Sequence, residues 1–315
     1  MDSYSLLAAA KINLYLEVVG DRPDGYHELV MVMQSIGLTD RVTVRRTNAA
    51  SIQLRCDHPQ VPNDESNLAH RAAKLVYERF PAVAKAQDGV AITIDKQIPV
   101  GAGLAGGSVN AAAVLVGLNM LWRLGMTQIE LQTLAAELGS DIPFCIAGGT
   151  AIATGRGEQI DSLQGIDGLY AVLAKFPSLS VSTAWAYKTY RQAFSHTYLD
   201  SKTKGQSRRE HLHSSPIMTA ISQQDGAAIS HHLHNDLEKV VLPAHPEVKE
   251  LKTALQAAGG LGTLMSGSGP TLFTLAQSKD AAKAIVQQLR SRYAAADLDL
   301  WIAPFMPTSL RLSET

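Results

Sequence analysis

The chain has 315 residues, enough for two domains with sizeable cores. With 46% apolar and 18% charged residues and a formal net charge of −1, it has a globular composition and no general attraction for nucleic acid or anionic membrane. No apolar run approaches the roughly 18 residues that a membrane-crossing helix needs. The opening Met1-Asp-Ser-Tyr-Ser-Leu6 lacks the basic start and apolar core of a secretion signal. Cys56 and Cys145 are isolated thiols with neither zinc-site nor disulfide-framework spacing, so a reducing setting, cytoplasmic or plastid-like, is expected.

Residues 4–20 alternate. Ile12, Leu14, Leu16 and Val18 share one face and Lys11, Asn13, Tyr15 and Glu17 the other, which predicts a half-buried strand. On that pattern alone, Lys11 is a solvated lysine of the outer face. The run Gly20-Asp-Arg-Pro-Asp-Gly25 is turn chemistry. Tyr26-His27 follow it, where such a pair is ordinarily a packing feature at a strand edge. A strand is predicted over 29–36 and a strand pair over 39–54. Asn63-Asp-Glu-Ser66-Asn67-Leu68 opens a helix over 69–80 with Ser66 as its N-cap, and capping accounts for most of that segment. Residues 90–95 alternate and are β-branched, a strand signal; Lys96 after them reads as a turn lysine.

Residues 99–110 run Pro99-Val-Gly101-Ala-Gly103-Leu104-Ala105-Gly106-Gly107-Ser108-Val109-Asn110, before an apolar run over 111–122 that reads as a helix. The order is strand, glycine loop, helix. Glycine lets backbone approach a ligand closely, and the free N–H groups of a helix start face the loop, so the segment predicts an anion site with phosphate as the usual anion. A tight turn packing helix on strand is the plainer alternative. Gly101-x-Gly103-x-x-Gly106 fits a dinucleotide fingerprint, but the loop neither follows its strand directly nor opens a first βαβ unit. A Walker loop needs Gly-Lys-Ser/Thr, and Gly107-Ser108-Val109 has no lysine.

A helix is predicted over 127–138, with Thr127 as N-cap, Glu130 completing a capping box and Gly139 as the stop. Asp141 then reads as the cap of a short helix with Pro143 in its first turn, as a general base, or as both together. A strand over 148–157 leads into a turn. The glycines between 155 and 168 suggest a domain boundary, and a strand over 169–176 begins the second unit. Thr183, Trp185 and Tyr187 fall on a helix that, as pattern alone, is an amphipathic helix with partly buried aromatics. Residues 195–215, with Lys202, Lys204, Arg208, Arg209 and three histidines, read as a mobile, solvated insertion. Asn235-Asp236-Leu237-Glu238 introduces a helical region in a structural role. A helix over 251–258 precedes a second glycine loop, Ser266-Gly267-Ser268-Gly269-Pro270-Thr271, which is either a second anion site or a plain hairpin turn. A helix over 281–293 and a strand over 298–303 close an α+β pattern.

The first glycine loop resembles the Pro-x-x-x-Gly-Leu-Gly-Ser-Ser-Ala loop of the GHMP small-molecule kinases, in the longer form of the 4-diphosphocytidyl-2-C-methyl-D-erythritol kinases of isoprenoid synthesis. Four more strings match that family: Ala8-Ala9-Ala10-Lys11-Ile-Asn13-Leu, Arg22-Pro-Asp-Gly-Tyr26-His27, Gly139-Ser-Asp141-Ile-Pro-Phe144 and Met265-Ser266-Gly267-Ser268-Gly269-Pro-Thr271. The resemblance implies an α+β fold with a ribosomal-S5-like N-terminal domain over 1–160 that binds ATP, and a ferredoxin-like C-terminal domain over 161–315. It implies ATP and Mg2+, phosphorylation of the tertiary hydroxyl of a cytidyl-diphospho polyol, and a monomer or homodimer with no nucleic-acid or membrane partner. Lys11 and Asp141 would be catalytic. Asn67, Leu68, Lys96, Pro99, Gly101, Gly103, Leu104, Gly106, Gly107, Ser108 and Asn110 would bind ATP, with Ser108 near the metal. Asn13, Tyr26, His27, Thr183, Tyr187, Ser266, Gly267, Ser268 and Gly269 would bind the substrate, Tyr26 and Tyr187 stacking on cytosine and His27 reading its edge. Three positions depart from the family pattern. Ala9 replaces a proline, Ala105 a glycine that adopts positive φ easily, and Val109 a serine whose hydroxyl could touch phosphate or metal. Another GHMP kinase, for homoserine, mevalonate or a sugar, would keep the loops without Tyr26-His27. A non-catalytic nucleotide-binding regulator would keep them without Lys11 or Asp141.

Overall fold

The alternation after residue 3 becomes β1 (Ser3–Asp21), and β2 (His27–Thr47) runs back along its whole length as an antiparallel partner. The computed structural model describes residues 2–86, 89–198, 210 and 212–313. The strands predicted over 29–36 and 39–54 are one strand to residue 47, because pairing with β1 continues across Gly37. β2 then splits its other edge. Residues 29–34 pair with β5 (Thr150–Gly155) and residues 41–47 with β4 (Gly89–Asp95). β3 (Ile52–Cys56) lies parallel to β4, and β6 (Gln159–Ser162) pairs with β5.

One face of this sheet is covered by helices. α1 (Leu68–Arg79) is capped by Asn67, whose side chain accepts the Ala69 N–H; Ser66, the expected cap, instead bonds Asp64. α2 is a short turn of helix (Pro81–Ala86). α3 (Gly106–Leu121) is apolar all round, which suits a helix packed between the sheet, α1 and α5 (Ile142–Ala147). It begins five residues before the predicted start. A side chain at Gly106 would crowd Lys96 Nζ and Ile98, so the glycine is what lets the first turn form there. α4 (Gln128–Ala136) carries the predicted capping box between Thr127 and Glu130.

The second half builds a four-stranded antiparallel sheet in the order β11 (Asp299–Pro304), β7 (Tyr170–Lys175), β10 (Leu272–Ala276), β9 (Thr263–Met265). Its helices are α6 (Thr183–Phe194), α7 (Pro216–Ser222), α8 (Gly226–His231), α9 (Glu238–Ala244), α10 (Pro246–Ala257) and α11 (Lys279–Arg290). Val172, Ala174, Leu251, Leu255, Ile285 and Leu289 form its core with Leu16, Met31 and Met33 of the first sheet. The chain also returns to the first sheet twice: β8 (His234–Asn235) pairs parallel to β1, and β12 (Leu310–Leu312), which was not predicted, pairs antiparallel at its far edge. Most of the insertion expected over 195–215, including Lys202, Lys204, Arg208 and Arg209, lies outside the described residues; Ser195–Thr197 form a 3-10 turn. Among the described residues no helix is long and apolar enough to cross a membrane.

Ala105, immediately before α3, has φ +56°. The chain thus keeps the left-handed turn of the glycine loop with an alanine in it. That conformation costs an L-residue roughly 1–2 kcal/mol, against about 0.5–1 kcal/mol of extra unfolded-chain entropy for glycine. Ala105→Gly should therefore raise the unfolding free energy, by up to about 1 kcal/mol, in a urea titration. A loss of stability would show that Ala105 is not strained.

Candidate active site

The two glycine loops lean on one another. Ser266 Oγ donates to the Gly103 carbonyl (3.0 Å), and a side chain at Gly103 (φ +74°) would overlap the Ser266 carbonyl oxygen. The Lys11 N–H donates to the Leu104 carbonyl (3.2 Å), which ties the first loop to β1. The second loop is held from behind. Buried Asn235 donates its amide to the Met265 and Gly267 carbonyls (2.7 and 2.8 Å). Asp236 beside it accepts the Val18 N–H (2.8 Å). Burial works against the Asp236 carboxylate, but His234, Lys239 and that N–H hold its pKa down at about 2. The Asn235-Asp236 string thus clamps the second loop to β1, a structural role as expected.

Between the loops opens a cavity of about 750 Å³. β1 runs along its floor. The register of β1 against β2 shifts between Ala9 and Lys11 and again between Asn13 and Tyr15. Such irregularities re-aim side chains, and here they flank the two polar residues of interest. Lys11 is 5% exposed rather than solvated, and Asn13 is fully buried. Lys11 Nζ donates to Asn13 Oδ1 (2.6 Å) and lies 3.8 Å from Asp141 Oδ2. Asp141 stands at the start of α5 but makes no side-chain capping hydrogen bond, and Pro143 occupies the first turn. The cap reading of Asp141 therefore fails on geometry. Its carboxylate is about one-third exposed and faces the cavity with Lys11 beside it.

At one end of the cavity the N-termini of α1 and α3 converge, and Leu68 is the nearest neighbour that a side chain at Gly107 would meet (3.6 Å). Asn67, Leu68, Lys96, Pro99, Gly101, Gly103, Leu104, Gly106, Gly107, Ser108 and Asn110 all line this end. Several are already engaged. Asn67 caps α1 and donates to the Pro62 carbonyl (2.8 Å), while Lys96 and Asn110 both donate to Asp40 (2.6 and 2.8 Å). Val109 is fully buried in the core and does not line the cavity, so its position supplies no hydroxyl there whichever residue fills it.

The other end is aromatic and cationic. Tyr26 is half exposed, with the Arg156 guanidinium 5.2 Å above its ring. His27 and Tyr187 lie ring to ring at 5.1 Å and 31°. The Thr183 and Ser268 hydroxyls are 2.8 Å apart, closing α6 onto the second loop. Gly267 and Ser268 line the cavity; Ser266 and Gly269 sit behind them, in the seam. Arg156, Lys188 and Arg191, which no sequence motif marks, also line this end. Burial and the Asp141 carboxylate push the Tyr187 phenol well up, so it stays protonated. Burial also pulls the His27 imidazole below its ordinary 6.5; Asp21 (3.7 Å) opposes this and Arg191 adds to it. His27 Nε2 has no hydrogen-bond partner among the described residues and is neutral at pH 7.

A model of the GHMP kinases N terminal domain matches residues 67–149, and one of the GHMP kinases C terminal matches residues 217–295. The chain is 58% identical over 303 residues to the 4-diphosphocytidyl-2-C-methyl-D-erythritol kinase of Gloeothece citriformis, covering 96% of each protein. It is 56% identical to the enzyme of that name from Microcystis aeruginosa, over 99% of this chain and all of that one. The chain belongs to the GHMP kinases, among the 4-diphosphocytidyl-2-C-methyl-D-erythritol kinases. A crystal structure of 4-(cytidine 5'-diphospho)-2C-methyl-D-erythritol kinase is similar, with a TM-score of 0.72 and 32% identity over 95% of this chain and 99% of that one. A homoserine kinase from Cytophaga hutchinsonii has a TM-score of 0.74 at 19% identity, covering 99% and 98%, a likeness of fold alone. The α+β architecture, with one sheet under α3 and a smaller antiparallel sheet beside it, is thus that of the GHMP kinases, and the chain is a small-molecule kinase with ATP as phosphoryl donor.

The depressed imidazole of this kinase can be read directly. In an NMR pH titration the His27 ring should titrate with a midpoint below about 6.5. Asp21→Asn should lower that midpoint further, because it removes the carboxylate that favours the charged ring. A midpoint above that value, or no change in the variant, would contradict the assignment of causes.

Proposed function

We propose that the chain transfers the γ-phosphoryl group of ATP to the tertiary hydroxyl of 4-diphosphocytidyl-2-C-methyl-D-erythritol, giving its 2-phosphate, a step of non-mevalonate isoprenoid precursor synthesis. The observation that carries the reading is the Lys11–Asp141 pair, set between a glycine loop at one end of the cavity and a His-Tyr cluster at the other. Nucleotide phosphates would lie on the N–H groups of 101–108 and the positive end of α3. The cytosine would enter at Tyr26, His27 and Tyr187, where aromatic faces supply stacking and a neutral imidazole can hydrogen-bond the base edge. Asn13, Thr183, Gly267 and Ser268 would border the polyol. In this reading the 1–160 unit holds ATP and the 161–315 unit closes over the substrate.

The chemistry follows from the pair. The substrate hydroxyl must lose its proton as its oxygen bonds to the γ-phosphorus and the bridge to ADP breaks. Asp141, whose side chain makes no capping hydrogen bond and faces the cavity, takes that proton. Lys11, fixed by Asn13 Oδ1, lies 3.8 Å from that carboxylate and orients the hydroxyl. Tyr187 stays protonated and so contributes surface, not charge.

Mg2+ suits this site in donor chemistry. Among the described residues no group of three or more His, Cys, Asp or Glu side chains could hold a metal alone, and Mg2+ asks for less. It keeps waters and binds phosphates with one or two protein oxygens. The Ser108 hydroxyl on the cavity wall would be such an oxygen. When bound, the ion neutralises phosphate charge.

The test is turnover of ATP with 4-diphosphocytidyl-2-C-methyl-D-erythritol by the native protein and by Asp141→Asn. The native protein should release ADP only when that substrate is present, and not with homoserine or mevalonate. The variant should lose about 10²–10⁴-fold in kcat with ATP affinity retained. Turnover with another polyol alone would overturn the substrate, and undiminished turnover by the variant would overturn the base.

A further inference from the structure

β2 carries a carboxylate where its pattern calls for an apolar residue. Leu38, Asp40, Val42 and Val44 occupy alternate positions, and Asp40 is fully buried. It does not line the cavity. Each of its oxygens accepts two hydrogen bonds. Oδ1 takes the N–H groups of Gln97 and Ile98 (2.7 and 2.8 Å), and Oδ2 takes Lys96 Nζ and Asn110 Nδ2 (2.6 and 2.8 Å). Lys96 Nζ also donates to the Ile98 carbonyl (2.8 Å).

The topology of these four bonds is informative. Residues 96–98 are the entrance to the glycine loop, and Asn110 is on α3 at its exit. One carboxylate therefore holds both ends of the loop, and holds them to β2, the strand that pairs with β1 and so with Lys11. Its charge also offsets that of Lys96, whose side chain is 3% exposed. Lys96 is thereby committed to the loop frame before any phosphate arrives. Only a group with two acceptor oxygens can serve all four donors. An amide of the same shape would turn an NH2 toward one of the two donor pairs.

We propose that Asp40 is the positioning residue of the nucleotide half of the site, setting ATP affinity through Lys96, Asn110 and the backbone at 97–98 without touching the nucleotide. The proposal rests on the reading that the 99–110 loop takes ATP phosphates. A loop pinned at both ends presents its N–H groups in one arrangement; a loop released at one end must be ordered by the ligand, at the ligand's expense in affinity.

The experiment compares the native protein with Asp40→Asn. Calorimetry with Mg-ATP gives the Kd of the free protein, steady-state kinetics give KM for each substrate and kcat, and circular dichroism checks the fold. The variant should weaken ATP about tenfold or more in Kd and KM, while kcat and the KM of the cytidyl substrate change by less than about threefold. Unchanged ATP affinity overturns the proposal. So does a parallel loss in both KM values and kcat, which would mark Asp40 as a purely structural residue. If Asp40→Asn does not fold, Asp40→Ser decides: its hydroxyl oxygen keeps an acceptor for the buried donors but cannot serve all four. A selective ATP defect of about threefold or more supports the clamp, and native affinity overturns it. Should the native protein bind ATP but fail to turn over the cytidyl substrate, the functional reading falls, and the ATP Kd of the variants still decides the role of Asp40.

Discussion

Everything at the site depends on how closely the two glycine loops meet. Gly103 and Ser266 touch backbone to backbone, with no room for a side chain at Gly103 and a hydroxyl–carbonyl hydrogen bond across the seam. The first loop is continuous with α3 and the second with the small sheet, so this contact joins the two halves of the molecule where the cavity opens. Lys11 lies directly below: its N–H bonds Leu104, and a side chain at Gly267 would come within 3.4 Å of its ammonium. A polar pair at such a junction can serve two ligands that arrive from opposite ends.

The electrostatics of the cavity divide along the same line. The nucleotide end relies on backbone: two helix N-termini and a run of loop N–H groups, with the charge of its lysine already offset by Asp40. The other end relies on side chains, with Arg156, Lys188 and Arg191 around an aromatic cluster. Asp141 is the carboxylate facing between them. A site of this kind draws anions to both ends and keeps its proton acceptor at the middle.

Much of this was legible in the sequence, and what was missed has physical causes. The glycine loop was readable because positive φ and close approach demand glycine, and the α4 capping box because Thr127 and Glu130 satisfy each other locally. Lys11 on a plain alternation looked solvated; its burial comes from a second layer of structure over that face and from two register shifts in β1, neither of which leaves a local signal. Asp141 stands in a cap position, where cap and general base are both legible, but its side chain makes no capping bond and lies 3.8 Å from Lys11. Ser66 and Asn67 are equally good capping residues, and the choice turned on a Pro62 carbonyl that only the folded loop brings near. Asp40 was not singled out in the sequence, although it alternates with Leu38, Val42 and Val44 along β2 and an acid there is out of pattern. Arg156, Lys188 and Arg191 left no signal, since surface cations are common and their convergence is a tertiary fact.

The most direct test of this account is Gly103→Ala. The added methyl would meet the Ser266 carbonyl, and φ +74° adds strain of its own, so the loops must part. If the seam organises the site, the variant should stay folded by circular dichroism and lose about 10²-fold or more in kcat, since displacements near 1 Å carry such penalties. A folded Gly103→Ala protein with native turnover would contradict the account and show that the Lys11–Asp141 pair works without the meeting of the loops.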